Sequence, residues 1–369
     1  MKVAIIGTVG LPANYGGFET LVEQLVRHND SGNIQYEVFC STKSYPERNK
    51  SFHGAQLKYV PLKANGMQSI PYDIISLVKA TQHADIILIL GVSGCAFLPI
   101  YRLFSGKKLI INIDGLEHRR EKWNKWVRRF LKFSEKQAVR YGDVIVTDNK
   151  CITDYVKDEY GKESELIAYG GDHVLKSDRD PEIEKVLNDY GLSAGKYALS
   201  ICRIEPENNV NIILEAFEKA KKSLVVIGNW SNNVYAKALA EKYRNSSYLT
   251  LLPAIYYLNI LHAIRANCNM YLHGHSAGGT NPSLVEAMFY RKPVIAFDCV
   301  YNRETTENKA LYFKNESEII SFFNLTESKY NLVASNMLEI AERRYKWSYI
   351  ARQYQDLFIK HFCHSDSSL

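Results

Sequence analysis

Residues 273–288 read HGHSAGGTNPSLVEAM and gather groups that can hold an anion and a sugar. Thr280, Asn281 and Ser283 can present hydroxyl, amide and backbone N–H donors to a phosphate. Gly278 and Gly279 let a backbone come close to it. Glu286 lies just inside the helix that follows, where a carboxylate can accept from a pair of sugar hydroxyls or simply oppose the helix dipole. A second corner, ICRIEPENN, sets Arg203 after an apolar run, with Glu207, Asn208 and Asn209 opening a helix. An arginine fork there suits a diphosphate, the alternative being a surface ion pair. A third, GTVGLPANYGGFET, puts Gly16 and Gly17 before a helix, an anion-binding corner or a turn that needs glycine. Its glycines lack the GxGxxG spacing of a nicotinamide fingerprint and the GK[ST] of a P-loop. Asp114, in INIDGLEH, can bind a sugar or acceptor hydroxyl, or serve as a strand-end turn residue before Gly115.

These corners need strands to carry them. KVAIIG, YEVFC, DIILIL, KLIINI and DVIVT are strand candidates in the first half; YALSI, SLVVIG, MYLHG and PVIAF are candidates in the second. Several are apolar at almost every position, as parallel strands buried on both faces are. Helical spacing in FETLVEQLVRH and NIILEAFEKA between them implies βαβ units with right-handed crossovers. In such sheets ligands sit beyond the carboxyl ends of the strands, where the three glycine corners fall. The strand series restarts at Tyr197 after a polar stretch. Two α/β domains are therefore expected, at 1–175 and 190–345, facing across a cleft. A patterned helix follows at 346–362, and HSDSSL beyond it is expected to fray.

The 369 residues suffice for two domains, and 46% hydrophobic with 23% charged residues is a globular balance. Seven cysteines with no CxxC pair read as reduced thiols of a cytoplasmic protein. Met1 leads straight into a strand-like run, so no signal peptide is expected. The uncharged stretch 86–101 falls short of the roughly 20 apolar residues of a membrane span and reads as strand, turn and helix. A net charge of +6 does not indicate nucleic-acid binding.

Long motifs in order, GTVGLPANYGGFET, DGLEHRREKW, RIEPENN, HGHSAGGTNPSLVEAM and NRETTENKALYF, resemble those of retaining, nucleotide-sugar-dependent glycosyltransferases of family 4. The likeness is greatest to a bacterial rhamnosyltransferase-like subgroup of surface-polysaccharide synthesis. The resemblance implies a GT-B fold: two Rossmann-like domains with parallel sheets, and a last helix crossing back onto the first. It implies an N-terminal acceptor-side domain and a C-terminal donor domain. Arg203 would bind the donor diphosphate, Glu286 the ribose, residues 278–283 the sugar and diphosphate, and Gly16 and Gly17 the diphosphate. Three positions depart from the family pattern. Gly278 stands where the first glutamate of E-x7-E belongs, Asn208 where a lysine is usual, and Asp114 where a histidine is common.

The resemblance further implies transfer of L-rhamnose from dTDP-L-rhamnose to a lipid-linked oligosaccharide of O-antigen or capsule. A nucleotide-sugar 2-epimerase and a catalytically silent sugar-nucleotide binder are the alternatives. Arg203 and helix N-termini would stabilise the leaving diphosphate. With no DxD motif in a manganese-binding context, neither metal nor cofactor is expected. Residues 118–140, HRREKWNKWVRRFLKFSEKQAVR, interleave basic residues with an apolar stripe of Trp123, Trp126, Val127, Phe130 and Phe133. That stripe faces either a core or an anionic membrane surface on the cytoplasmic side.

Overall fold

The computed structural model describes residues 1–14, 16–30, 32–113, 115–120, 123–175 and 182–363. Asp114 and the tail 364–369 lie outside them. The chain divides into two compact units, Met1–Tyr169 with Trp347–Leu369, and Gly170–Lys346.

In the first unit the strands are β1 (Lys2–Ile6), β2 (Gln35–Ser41), β3 (Ser51–Phe52), β4 (Ala55–Val60), β5 (Ile86–Leu90), β6 (Lys108–Ile113), β7 (Val144–Thr147) and β8 (Glu165–Leu166). Its helices are α1 (Gly17–Arg27), α2 (Ser69–Ala80), α3 (Leu98–Tyr101), α4 (Lys125–Tyr141) and α5 (Lys150–Tyr160). Among the described residues the strands form one sheet in the order β3-β4-β2-β1-β5-β6-β7-β8. Every pairing is parallel except the short β3–β4 hairpin. The central strands β1 and β5 are buried throughout apart from Lys2, which is why their sequences run apolar without alternation.

The second unit holds α6 (Glu182–Asp189), β9 (Ala198–Ile201), α7 (Val210–Ala220), β10 (Leu224–Ile227), α8 (Val234–Lys242), β11 (Leu249–Leu252), α9 (Leu258–Ala266) and β12 (Met270–His273). It continues with α10 (Pro282–Met288), β13 (Val294–Phe297), α11 (Val300–Thr305), β14 (Leu311–Phe313), α12 (Glu316–Phe322) and α13 (Glu327–Arg344). Its sheet runs β11-β10-β9-β12-β13-β14, parallel at every pairing. The order reverses direction between β9 and β12, a switch point where loops part and leave room for a ligand.

The last helix, α14 (Trp347–Cys363), belongs to the first unit. Trp347, Ile350, Tyr354 and Phe358 are buried in the core that also contains Ile34, Tyr36 and Val38. Phe358 meets Tyr36 edge to face at 6.4 Å, and Asn112 of β6 donates to the Tyr354 hydroxyl at 2.7 Å. Each such buried aromatic contributes about 1.5–3 kcal/mol. No helix among the described residues is long and apolar enough to cross a membrane.

Candidate functional site

In the second unit, two of the glycine corners are sewn together. The β9 corner turns through a single 3-10 turn, Pro206–Asn208, and Asn209 then takes a left-handed conformation at φ 49° before α7. The side-chain amide of Asn209 donates to the carbonyl of Gly274 at 2.8 Å. Ser276 sends both its N–H and its hydroxyl to the carbonyl of Glu207, each at 2.9 Å. Asn208, buried, donates to the carbonyl of Arg203 at 2.7 Å and lies 2.7 Å from Nδ1 of buried His275. The loops after β9 and β12 thus form one rigid piece.

Arg203 stands on that piece with a partly exposed side chain. Its guanidinium lies 3.7 Å from Glu205 and 3.9 Å from Glu207, too far for tight pairing. At an exposed position such pairs are weak, so the fork can be recruited by a stronger anion. His273, at the end of β12, is buried with Nε2 unpartnered. Burial pushes its pKa down to about 3, so the ring is neutral near neutral pH.

Gly278 has φ 100°, a conformation that a side chain disfavours. Gly278, where the motif resemblance leads to a glutamate, thus holds a backbone conformation that a side chain would strain. Thr280 is buried, while Gly279 is half-buried. Asn281 caps α10: its side chain accepts from the N–H of Ser283 at 3.0 Å and from the Ser283 hydroxyl at 2.8 Å. The Asn281 side-chain oxygen and the Ser283 hydroxyl proton are thus committed to each other, a role that the donor reading of these residues did not include.

Glu286 is not a carboxylate awaiting only a ligand. One oxygen accepts from the guanidinium of Arg265 on α9, and the other lies 3.7 Å from Nε2 of His173. Arg265 is buried, and its Nε has no partner. The spacing of IRANC gives no sign that its arginine points inward; only the fold brings it to Glu286, 21 residues away.

In the first unit, the loop after β1 is pinned by carboxylates from α1. Buried Glu19 accepts from the Thr8 hydroxyl at 2.9 Å and the Val9 N–H at 2.7 Å, and Glu23 accepts from the Ala13 N–H at 2.7 Å. Gly16 caps α1 at φ 91°, and a Cβ there would come within 2.6 Å of the Glu19 carboxylate. Gly17 is the first residue of α1. The FET that follows the glycines is therefore part of the loop's architecture, a signal that the glycine pattern alone did not carry. Asp114 lies outside the described residues, so its candidate role has no geometry. Among the described residues, no group of three or more His, Cys, Asp and Glu is arranged to hold a metal ion.

The comparisons with known proteins bear on this geometry. Residues 183–324 match the family model described as Glycosyl transferases group 1, and residues 1–172 match a domain of unknown function (DUF1972). No curated protein matches the chain. Among solved structures, sucrose-phosphate synthase from Thermosynechococcus elongatus is similar at 14% identity, with 98% of this chain and 99% of that one covered and a TM-score of 0.80. Anabaena HepE in complex with UDP is similar at 15% identity, over 98% of this chain and 100% of that one, with a TM-score of 0.76. The catalytic domain of starch synthase IV from Arabidopsis thaliana, bound to ADP and acarbose, follows at 12% identity, 98% and 99% coverage and a TM-score of 0.72. The fold is GT-B. Its second unit carries a group 1 glycosyl transferase domain at residues 183–324.

Proposed function

We propose that this chain is a retaining glycosyltransferase that takes its sugar from a nucleotide-sugar donor. The observation that carries the reading is the welded β9–β12 corner within the group 1 domain, where the loop that bears Arg203 is bonded through Glu207 and Asn208 to Ser276 and His275, just ahead of the Gly278 turn. UDP is named with HepE and ADP with starch synthase IV, and a nucleoside diphosphate is the leaving group that the corner suits. In the proposed reaction the bond from the anomeric carbon to the diphosphate oxygen breaks, and the diphosphate keeps the electron pair. The acceptor hydroxyl bonds to the anomeric carbon, and its proton passes to the departing phosphate. Arg203 and the backbone donors of residues 278–283 stabilise the charge that develops, a role in which no metal is required. Gly16, Gly17 and Asp114 are further candidates, the last for a sugar or acceptor hydroxyl.

The motif resemblance supports dTDP-L-rhamnose as donor and a lipid-linked oligosaccharide of a surface polysaccharide as acceptor. The enzyme would then work at the cytoplasmic face of the membrane, docking through residues 118–140. The test is incubation with dTDP-L-rhamnose, with and without extracted lipid-linked acceptor. Acceptor-dependent release of dTDP with an unaltered anomeric configuration is expected. A changed sugar with donor alone would instead identify a 2-epimerase. Donor binding with no turnover on any acceptor would identify a silent binder, a reading favoured by the carboxylates near Arg203 and by the engagement of Glu286 with Arg265.

A further inference from the structure

The first unit displays an apolar and basic ridge that its own core does not explain. Helix α4 begins at Lys125, capped by Asn124, whose side chain accepts from the N–H groups of Trp126 and Val127 at 3.0 Å. Its buried face is Ser134, Glu135, Gln137, Ala138 and Val139. Two large residues of the stripe do not face the core: Trp126 is 76% exposed and Phe133 51% exposed, while Trp123, Val127 and Phe130 are half-buried. Trp126, Arg129, Phe133, Lys136 and Arg140 follow one another at helical spacing along one face, all exposed.

Charge along that face has one sign. Lys125, Arg129, Lys136 and Arg140 have no carboxylate partner among the described residues, and Arg129 lies over the Trp126 ring at 5.4 Å. The one acidic residue of α4, Glu135, is buried and accepts from Tyr155 and Tyr160 at 2.6 Å and lies 2.9 Å from His118. Other basic residues of the segment are already in use. Arg128 donates to the carbonyl of His118 at 2.8 Å, and Lys132 pairs with Glu159 at 2.8 Å.

A second apolar projection adjoins this helix. α3 packs against α4, and Arg102 just after it donates to the carbonyl of Tyr141 and to Asp143 at 2.7 Å. The next two residues, Leu103 and Phe104, are exposed, Leu103 to 85%, and so is Ile100. Such aliphatic and aromatic side chains standing in water beside unpaired cations are the composition of an interfacial element.

We infer that α4 lies against an anionic bilayer, Trp126 and Phe133 at headgroup depth and the cations on lipid phosphates, while Leu103 and Phe104 wedge in beside the C-terminal end of α4. A second copy fits less well, because a two-fold contact would set this basic face against itself. A nucleic acid gives Ile100 and Leu103 nothing apolar to bury in. The inference gives a surface to the lipid-linked acceptor proposed above and rests on that reading for its purpose.

The experiment is sedimentation of the full chain with phosphatidylcholine vesicles, with and without phosphatidylglycerol, in the absence of donor and acceptor. Failure here is thus separable from failure of the transferase reading. Binding is expected only with phosphatidylglycerol and is expected to weaken with salt. Arg129→Gln/Lys136→Gln/Arg140→Gln and, separately, Leu103→Ser/Phe104→Ser should each lower the partition at least tenfold with melting temperature retained. Tryptophan emission should shift to the blue on binding, and Trp126→Phe should remove that shift. The inference is overturned if the folded variants bind as wild type does, or if neutral vesicles bind equally well. It is also overturned if the wild type binds no vesicle but forms a dimer that Leu103→Ser/Phe104→Ser disperses, or binds only an RNA oligomer.

Discussion

Nδ1 of His275 donates to the side-chain oxygen of Asn208 across 2.7 Å, joining residues 67 positions apart. The direction follows from the other end of the amide. Asn208 also meets the carbonyl of Arg203 at 2.7 Å, and a carbonyl can only accept, so the NH2 group must point there. The oxygen is left for His275, whose Nδ1 must carry the proton. Asn208, where the motif resemblance leads to a lysine, thus fixes the tautomer of a histidine three residues before Gly278.

Asn208→Leu should therefore cost more than lost packing, because it removes one hydrogen bond from the Arg203 carbonyl, which keeps that from the Glu205 N–H at 3.0 Å, and takes the acceptor away from Nδ1 of His275. A buried donor deprived of its acceptor costs about 1–3 kcal/mol. A double-mutant cycle with His275→Ala, read by urea unfolding, should show coupling of roughly 0.5–3 kcal/mol. Additive effects would mean that the pair is incidental. Asn208→Lys should destabilise as well, since it places an ammonium in a buried position.

Arg203→Ala should weaken donor binding and turnover together, with the melting temperature unchanged. A charge-assisted hydrogen bond of about 1.5–3 kcal/mol corresponds to a loss of roughly ten- to a hundredfold. Calorimetric titration with the nucleoside diphosphate, alongside steady-state kinetics, checks this. Wild-type affinity in the variant would remove Arg203 from the site.

For Glu286 the structure changes the expectation attached to a ribose carboxylate. Glu286→Gln should lower stability as well as nucleotide affinity, because it leaves buried Arg265 without its countercharge. Breaking a buried pair costs about 3–5 kcal/mol, whereas replacing both partners with apolar residues can be nearly neutral. Arg265→Met/Glu286→Leu should recover stability while nucleotide affinity stays low. If affinity recovers too, Glu286 is an anchor for Arg265 and not a ligand.

Asp73 on α2 gives a pH prediction. Burial raises its pKa to about 7, against the hydrogen bonds from the Ser93 hydroxyl and the Gly94 N–H. The native state therefore retains a proton that the unfolded chain releases above the ordinary value of 3.8. The contribution is fully present below that value and is lost as pH rises through about 7. Unfolding across this range should show wild-type stability falling relative to Asp73→Asn, which has no proton to lose. Parallel curves would mean that Asp73 is charged in the fold.

Much of the frame was legible because parallel strands buried on both faces write themselves as apolar runs; β1, β5, β6 and β7 are of this kind. β4 was not, since Ala55–Val60 is buried only in part and carries polar residues between its buried ones. β8 has two residues, too few for any pattern. The glycine corners were visible by composition, but their bonding was not. Neither the Arg265–Glu286 pair nor the Asn208–His275 contact has a local signature, because each depends on tertiary packing between distant positions. The stripe of α4 allowed two readings, since helical periodicity shows which residues share a face and not what covers it.

The first unit is interrupted in sequence, with its core completed by Trp347, Tyr354 and Phe358 from α14. During synthesis, residues 1–169 leave the ribosome well before that helix exists. At about 5–20 residues per second, the intervening 177 residues of 170–346 take roughly ten seconds or more. Throughout that interval Ile34, Tyr36 and Val38 lack their covering helix, and the nascent unit exposes an apolar groove. The second unit, continuous in sequence, can fold first although it is made later. A pause in translation before codon 347 would prolong that exposure, making this stretch a point at which holdase chaperones can engage the chain.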